Sequence, residues 1–381
     1  MKRKIVLVPD SFKGTMSSTE ICEIMQTEIE KTLSETEIVS IPVADGGEGS
    51  VDCYLAALGG EKVSVRVNNP FMEEIESFYG LVDNGETAII EMAACAGLPL
   101  IEDRKNPLTA STYGVGQLIL AAAERGVSKI IVGLGGSATN DGGCGAASAV
   151  SIKFYDGQDR EFVPTGGTLS EISRIDTSCK NPLLNGVEII TMCDIDNPLC
   201  GKNGAAHVFG PQKGATPDIV GILDVGLLHM AEIIERDLGI STAEISGAGA
   251  AGGMGAGMVA FFSSKLQMGI ETLLDTVKFD KVIEDADVIF TGEGKIDTQS
   301  LRGKVVIGVS RRAKLSGVPV VAVVGAVDEE VSKDSDRLYD EGITAVFSIN
   351  HAPENFSIAR GKSKENLAFA MRNLLLLIRS K

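Results

Sequence analysis

Seven short runs rich in valine and isoleucine punctuate this chain, and each gives way to glycine and polar residues in a manner that leaves few folds open. They lie at 5–8, 38–43, 129–132, 187–192, 288–290, 318–324 and 345–349. Runs of this length and composition read as strands buried on both faces. Between several of them lie helical periods with start and stop signals. Ser17-x-x-Glu20 precedes Ile21, Ile24, Met25, Ile29 and Leu33 as a capping box precedes an apolar face. Thr216-Pro217 opens a second period, Ile219, Ile222, Leu223, Leu227, Met230 and Ile234, which Gly239 closes. Alternating strand, loop and helix predicts a mostly parallel sheet covered by helices.

The stretch 63–92 departs from this pattern. Val63, Val65 and Val67 alternate, and Asp83-Asn84-Gly85 stands between two strand-like runs as a hairpin turn does. With 381 residues, 44% of them apolar, the chain can bury two cores. The expected fold class is therefore α/β with two domains. Both chain ends, 1–62 and 285–381, form a doubly wound Rossmann- or flavodoxin-like parallel sheet, and 63–284 is an inserted mixed-sheet α/β domain.

Charge narrows the partners. Lys and Arg number 35 against 52 Asp and Glu, a net charge of -17, which opposes attraction to nucleic acid and to anionic membrane surfaces. An anionic substrate then needs cations, backbone N–H groups or a metal ion gathered locally. Seven cysteines without a C-x-x-C pair argue against a disulfide framework or a zinc ribbon, and the reducing cytoplasm is the expected location. The three histidines, His207, His229 and His351, are not at metal-ligand spacing, so histidine-based zinc or Ser-His-Asp chemistry has little to work with. The basic start gives way to an apolar run that stops at Pro9-Asp10, too short for a signal peptide, and the apolar tail near Leu374 is too short for a membrane span.

Ligands of open α/β sheets gather at the carboxyl ends of strands. Four of the runs lead there into glycine-rich polar loops: Pro9-Asp10-Ser11-Phe12-Lys13-Gly14, Asp45-Gly46-Gly47-Glu48-Gly49, Gly135-Gly136-Ser137-Ala138-Thr139-Asn140-Asp141-Gly142-Gly143, and Thr291-Gly292-Glu293-Gly294-Lys295-Ile296-Asp297. Glycines let the backbone approach phosphate oxygens, and adjacent carboxylates suit Mg²⁺ or a proton acceptor. Any one such loop is also explained as a tight turn with a helix cap; four in one chain point to a ligand. Asp194 follows the run 187–192, and Gly210-Pro211-Gln212-Lys213-Gly214-Ala215 puts a lysine just ahead of a helix start. Taken alone, Asp194 reads as a turn residue and Lys213 as a solvated lysine.

Other motifs lead nowhere. Gly247-Ala248-Gly249-Ala250-Ala251-Gly252 fits G-x-G-x-x-G, with Glu271 near the spacing of a ribose-binding acid, but the polar Ser241-Thr242-Ala243-Glu244 precedes it where a strand is required. Close helix packing or a phosphate-facing loop fits it better than a dinucleotide fold. No G-x-x-x-x-G-K-[ST] or His-Arg-Asp segment occurs, which excludes P-loop and protein-kinase architectures. Cys193 beside Asp194 lacks a nearby histidine and reads as a small buried hydrophobe.

The four loops, together with Gly210-Pro211-Gln212-Lys213-Gly214-Ala215 and the continuation to Asp297-Thr298-Gln299, resemble the signature segments of the bacterial glycerate kinase family, in order along almost the whole chain. The resemblance implies ATP-dependent phosphorylation of D-glycerate, with 2-phosphoglycerate favoured over 3-phosphoglycerate, Mg²⁺, and a two-domain α/β fold with its site in the cleft between domains. Individual roles rest on chemistry: phosphoryl transfer needs cations on the phosphate, a metal holder and a group that orients the attacking hydroxyl. Asp194, Lys295 and Asp297 are the candidate catalytic residues, with Asp194 on the hydroxyl and Lys13, Lys213 and Lys295 on phosphate or carboxylate. Glu293 and Asp297 are the candidate metal ligands. Asp10, Ser11, Lys13, Asp45, Gly46, Gly47, Gly135, Gly136, Ser137, Asn140, Asp141 and Lys213 are the candidate substrate- and phosphate-binding residues. Two alternatives stand beside this reading: a nicotinamide-dependent hydroxy-acid dehydrogenase, and a non-catalytic anion- or nucleotide-binding regulator.

Overall fold

The computed structural model describes residues 3–44, 46–102, 104–298, 300–333, 335–352 and 354–379. The chain divides into two compact units, one made of residues 1–45, 56–58 and 268–381, the other of 46–55 and 59–267.

In the first unit five strands pair in the order Thr36–Ser40, Arg3–Pro9, Val288–Gly292, Val320–Val324, Ile343–Ser348, all parallel. In order of appearance this is 2-1-3-4-5, the flavodoxin-like doubly wound arrangement, whose switch point lies between the first and third strands. Ile5, Leu7, Phe290 and Val323 pack on one face against Ile21, Met25 and Ile29 of helix Ser18–Thr32 and Leu367, Met371 and Leu375 of helix Ser363–Arg379. Ala322 and Val324 pack with Val306 and Ile307 of helix Val305–Ser316 in a separate cluster. The expected capping box is formed: the Ser17 side chain accepts from the Glu20 amide, and the Glu20 carboxylate accepts from the Ser17 amide at 2.9 Å.

The second unit is built on a mixed sheet ordered Lys265–Gln267, Glu188–Met192, Lys129–Gly133, Thr87–Glu91, Glu74–Val82, Glu61–Asn68. The first four strands are parallel and the last two antiparallel. The expected hairpin is present, with Val82 opposite Thr87 and Asp83, Asn84 and Gly85 all at positive φ (52°, 56° and 85°). Helix Pro217–Leu238 has Thr216 as N-cap and left-handed Gly239 as C-cap.

The limits of the units differ from 62/63 and 284/285, and packing gives the reason. Residues 46–49 run against the strand ends at Gly133 and Glu91, which draws them to the second unit. Helix Gly269–Thr276 lies against helix Val305–Ser316, where a Cβ on Gly308 would come within 2.9 Å of Ile270, which draws it to the first.

Helix Ala250–Phe262 is rich in glycine because it lies on backbone. A Cβ on Gly252, Gly255 or Gly257 would fall 2.1, 2.2 or 2.3 Å from the carbonyl oxygens of Thr139, Gly247 or Gly142. Gly255→Ala is expected to lower unfolding stability by roughly 1–3 kcal/mol through this overlap. Gly221→Ala, on the exposed face of helix Pro217–Leu238 with nothing within 4 Å of the added carbon, is expected to raise it by about 0.5–1 kcal/mol. Chemical denaturation of the two variants checks the pair.

Candidate active site

Two groups of polar side chains collect at strand ends, one in each unit. In the first unit the register sets Pro9 beside Gly292, so Asp10 and Glu293 leave adjacent strands at the switch point. The Asp10 amide donates to the Gly292 carbonyl at 2.8 Å and the Ser11 amide to Asp10 Oδ1 at 2.7 Å. Gly294 and Gly325 allow neighbouring loops to close up: a Cβ on Gly325 would lie 2.3 Å from the Gly294 oxygen.

Glu293 is 8% exposed. Its Oε2 accepts from Ser300 Oγ at 2.9 Å, while its Oε1 is buried without a hydrogen-bond partner. Burial, foremost, pushes its carboxyl up to about 7; the Ser300 hydrogen bond opposes this, the negative charges of Asp10 and Asp297 add to it, and Lys304 weakly counters. Ser300 also joins Glu293 to Asp297, since its amide donates to Asp297 Oδ1 at 3.0 Å. Lys295 is turned outward into an ion pair with Asp328 at 2.5 Å, and Lys13 is exposed. Asp45 and Gln299 lie outside the described residues.

In the second unit Glu91, Gly133 and Met192 stand level in neighbouring parallel strands, so the loop 133–143 and the segment beginning Cys193-Asp194 leave the sheet at the same edge. Asp194 is half-buried there. Burial, aided by Asp194 and Asp196, pushes the Cys193 thiol up to about 11, which keeps it protonated and inert.

The glycine-rich loop is less of a phosphate cradle than its sequence suggests. The amides of Gly135, Ala138, Gly142, Gly143, Cys144 and Gly145 all donate within the fold. Asp141 is fully buried and accepts from Thr112 N at 2.7 Å, Thr112 Oγ1 at 2.9 Å, and Gly143 N and Gly145 N at 3.2 Å each. Its place is that of an internal cap, though burial raises its carboxyl and the four hydrogen bonds only partly offset that. Gly46 and Gly47 are likewise taken up by packing: Gly135 N donates to Gly46 O at 3.0 Å, and a Cβ on Gly135 would lie 2.5 Å from Gly47 Cα. The amides of Gly49 and Val51, at the start of helix Ser50–Leu58, donate to buried Glu91 at 3.2 and 2.6 Å. An anion-binding helix start thus already holds a carboxylate of the protein itself.

The loop and its surroundings also offer side chains. Lys213 is 1% exposed, which overturns its reading as a solvated lysine. Its Nζ donates to Ser137 Oγ at 2.9 Å and to the Thr139 carbonyl at 2.6 Å, and it forms no ion pair among the described residues. Burial lowers its ammonium to about 7, against a small upward pull from Asp141. Asn140 is fully buried, and neither its Oδ1 nor its Nδ2 has a hydrogen-bond partner.

The structure therefore assembles Asp10, Glu293 and Asp297 in one unit and Ser137, Asn140, Lys213 and Asp194 at one sheet edge in the other. Sequence reading missed Ser300 and Glu91. Asp297-x-x-Ser300 was a visible turn signal, and Glu91 ends an apolar run as strand-end carboxylates do. The G-x-G-x-x-G segment follows turns and not a strand, and the Gly247 carbonyl lies where a Cβ of Gly255 would be, so it offers no dinucleotide fingerprint.

The glycerate kinase family model matches residues 5–379. The chain is 43% identical to the glycerate kinase of Haemophilus influenzae over 372 residues, which cover 97% of each chain. It is 40% identical to the glycerate 2-kinase of Escherichia coli, again over 97% of each. A crystal structure from Salmonella typhimurium LT2, assigned as glycerate kinase 2, superposes with a TM-score of 0.88 at 37% identity, covering 100% of this chain and 99% of that one.

The buried ammonium gives a pH signature. In the unfolded chain Lys213 titrates near 10.5 and in the folded chain near 7, so between these values the unfolded state binds more protons and stability rises with pH. Below about pH 7 the penalty is complete and on the order of 3–5 kcal/mol. Lys213→Met is expected to gain most over wild type near pH 6, the gain shrinking towards pH 10. A difference in unfolding free energy that does not vary with pH would contradict the assignment.

Proposed function

The chain belongs to the glycerate kinase family, and from that premise we propose that it moves the terminal phosphoryl group of ATP to the 2-hydroxyl of D-glycerate with the help of Mg²⁺. The observation that carries this reading is the pair Asp10 and Glu293 at the switch point of a 2-1-3-4-5 sheet, the place where such folds bind phosphate-bearing ligands.

The residues present suit magnesium. Glu293 Oε1 is a buried carboxylate oxygen without a partner, in the field of two further carboxylates. Among the described residues no three acidic, histidine or cysteine side chains form a complete metal cage. That matches an ion usually held by one or two carboxylates, with phosphate and water completing its shell. Glu293 and Asp297 would hold it, and when bound it would supply neutralisation of charge on the polyphosphate. Ser300 fixes Glu293 by holding Oε2, and Lys13, exposed in the loop after the first strand, reaches towards phosphate. Lys295, already paired with Asp328, acts at most through its field.

Asp194 takes the acceptor hydroxyl. It leaves the strand next to the one that carries Ser137 and Asn140, so one sheet edge offers a proton acceptor together with anion-binding side chains. The unit that carries both chain ends serves as the nucleotide domain and the unit that holds residues 59–267 as the acceptor domain. Work in the cytoplasm fits an ATP-dependent enzyme whose cysteines form no disulfide among the described residues. No helix among the described residues is long and apolar enough to cross a membrane.

Phosphorus and proton NMR of a mixture of protein, ATP, Mg²⁺ and D-glycerate is expected to show ADP and 2-phosphoglycerate. A 3-phosphoglycerate product would overturn the regiochemistry, and no ADP at all would overturn the reaction. Asp194→Asn is expected to lower kcat by about 10²-fold, the lower end for a positioned base because a loose phosphoryl transfer asks little of proton removal. KM and the unfolding midpoint should stay near wild type; a lowered midpoint with kcat intact would return Asp194 to a turn residue.

A further inference from the structure

Lys213 poses a physical problem that the fold by itself does not solve. A lysine taken wholly out of water usually meets a carboxylate, because desolvating an unpaired charge is strongly unfavourable. Here the ammonium meets two neutral oxygens, Ser137 Oγ and the Thr139 carbonyl, which account for two of its three N–H donors. The nearest negative charge to influence it, Asp141, has its carboxylate engaged by four donors of its own. Next to it in the chain stand more polar groups without partners: Thr139 Oγ1 and both amide atoms of Asn140, all buried. Each such group has given up its hydrogen bonds to water without replacement, which is unfavourable. Helix Ala250–Phe262 presses on the same residues from its glycine side, with a Cβ on Gly252 only 2.6 Å from Asn140 Cα, so the loop has no room to relax away from this arrangement.

We propose that Lys213 and Asn140 form the subsite that selects the acceptor, Lys213 receiving the carboxylate of the hydroxy acid and Asn140 a hydroxyl. The proposal rests on the kinase reading and deepens it by dividing the ligands between the two sets of residues. A single cation suits a monoanion. Six of the loop amides that could surround the oxygens of a phosphate, those of Gly135, Ala138, Gly142, Gly143, Cys144 and Gly145, donate elsewhere in the fold. Asn140 supplies both a donor and an acceptor, which is what an alcohol oxygen bearing its own proton requires. The unpaired charge and amide are then the means of discrimination: an analogue that lacks the carboxylate leaves Lys213 uncompensated, and a site built in this way rejects it strongly.

Calorimetric titration of wild type, Lys213→Met and Asn140→Leu with D-glycerate, with its neutral amide, and separately with Mg·ADP tests the division. Wild type is expected to favour the acid over the amide by roughly 10–100-fold, the range of a charge-assisted hydrogen bond. Lys213→Met should lose that preference while holding Mg·ADP as wild type does. Asn140→Leu, which breaks no internal hydrogen bond, should weaken D-glycerate with Mg·ADP again unchanged, and it keeps the test open if the lysine variant does not fold. Weakened Mg·ADP with D-glycerate intact in either variant would make this a phosphate contact, and unchanged binding of both ligands would remove the subsite; either overturns the inference. Wild-type turnover of D-glycerate alongside such a result would leave the kinase reading standing, whereas its absence would sink that reading first.

Discussion

Parallel pairing in level register is the constraint on which the rest of this protein depends. A parallel ladder forces neighbouring strands to end at the same edge, and whatever follows each strand in sequence is then delivered to one place. Pro9 opposite Gly292 delivers Asp10 and Glu293; Glu91, Gly133 and Met192 in line deliver the loop 133–143 and Asp194. The strands themselves need only be apolar, and they are: Ile5, Val6, Leu7 and Val8 are all fully buried. Chemistry is left to the residues just beyond them, and glycine at 133, 135, 294 and 325 lets those segments run backbone against backbone.

The two clusters have opposite charge and the same physics. Glu293 is a carboxylate driven towards its neutral form, up to about 7, and Lys213 an ammonium driven towards its neutral form, down to about 7. Burial is the leading cause of both shifts, and in neither case does an ion pair among the described residues compensate. Groups held in this state are at odds with stability and suited to ligands of the opposite charge, a metal ion for one and an anion for the other. Asp141 and Glu91 show the contrast. Burial raises them too, but each accepts two or more amide hydrogen bonds and ties down a loop or a helix start.

Much of this was legible in the sequence. The seven Val/Ile runs, the capping box at Ser17 and the Thr216-Pro217 to Gly239 helix are local signals, and the structure has all of them, although the edge strands Thr36–Ser40 and Ile343–Ser348 are only partly buried and not covered on both faces as their composition suggests. The strand-end loops could be read as ligand-bearing for the same reason, since position after a strand is a local property. What could not be read is which atoms of those loops remain uncommitted. Asp141 and Asn140 are neighbours in one motif, yet one is saturated by Thr112, a contact between residues 29 apart in sequence, and the other has no partner. Lys213, a binding candidate that taken alone reads as a surface lysine, meets its hydrogen-bond partners at residues 137 and 139, far away along the chain. Lys295 looked catalytic because its partner, Asp328, comes from beyond the next strand.

The central claim is a division of labour: carboxylates at the first unit's switch point serve the metal-bound nucleotide, and the Ser137, Asn140 and Lys213 group serves the hydroxy acid. Amide hydrogen exchange followed by mass spectrometry, with each ligand added alone, addresses this most directly. The account predicts that Mg·ADP slows exchange in peptides spanning residues 10–14 and 293–298, and that D-glycerate slows it in peptides spanning 137–145 and 210–215. Protection by D-glycerate at 293–298, or by Mg·ADP at 137–145 with 293–298 unchanged, would contradict it.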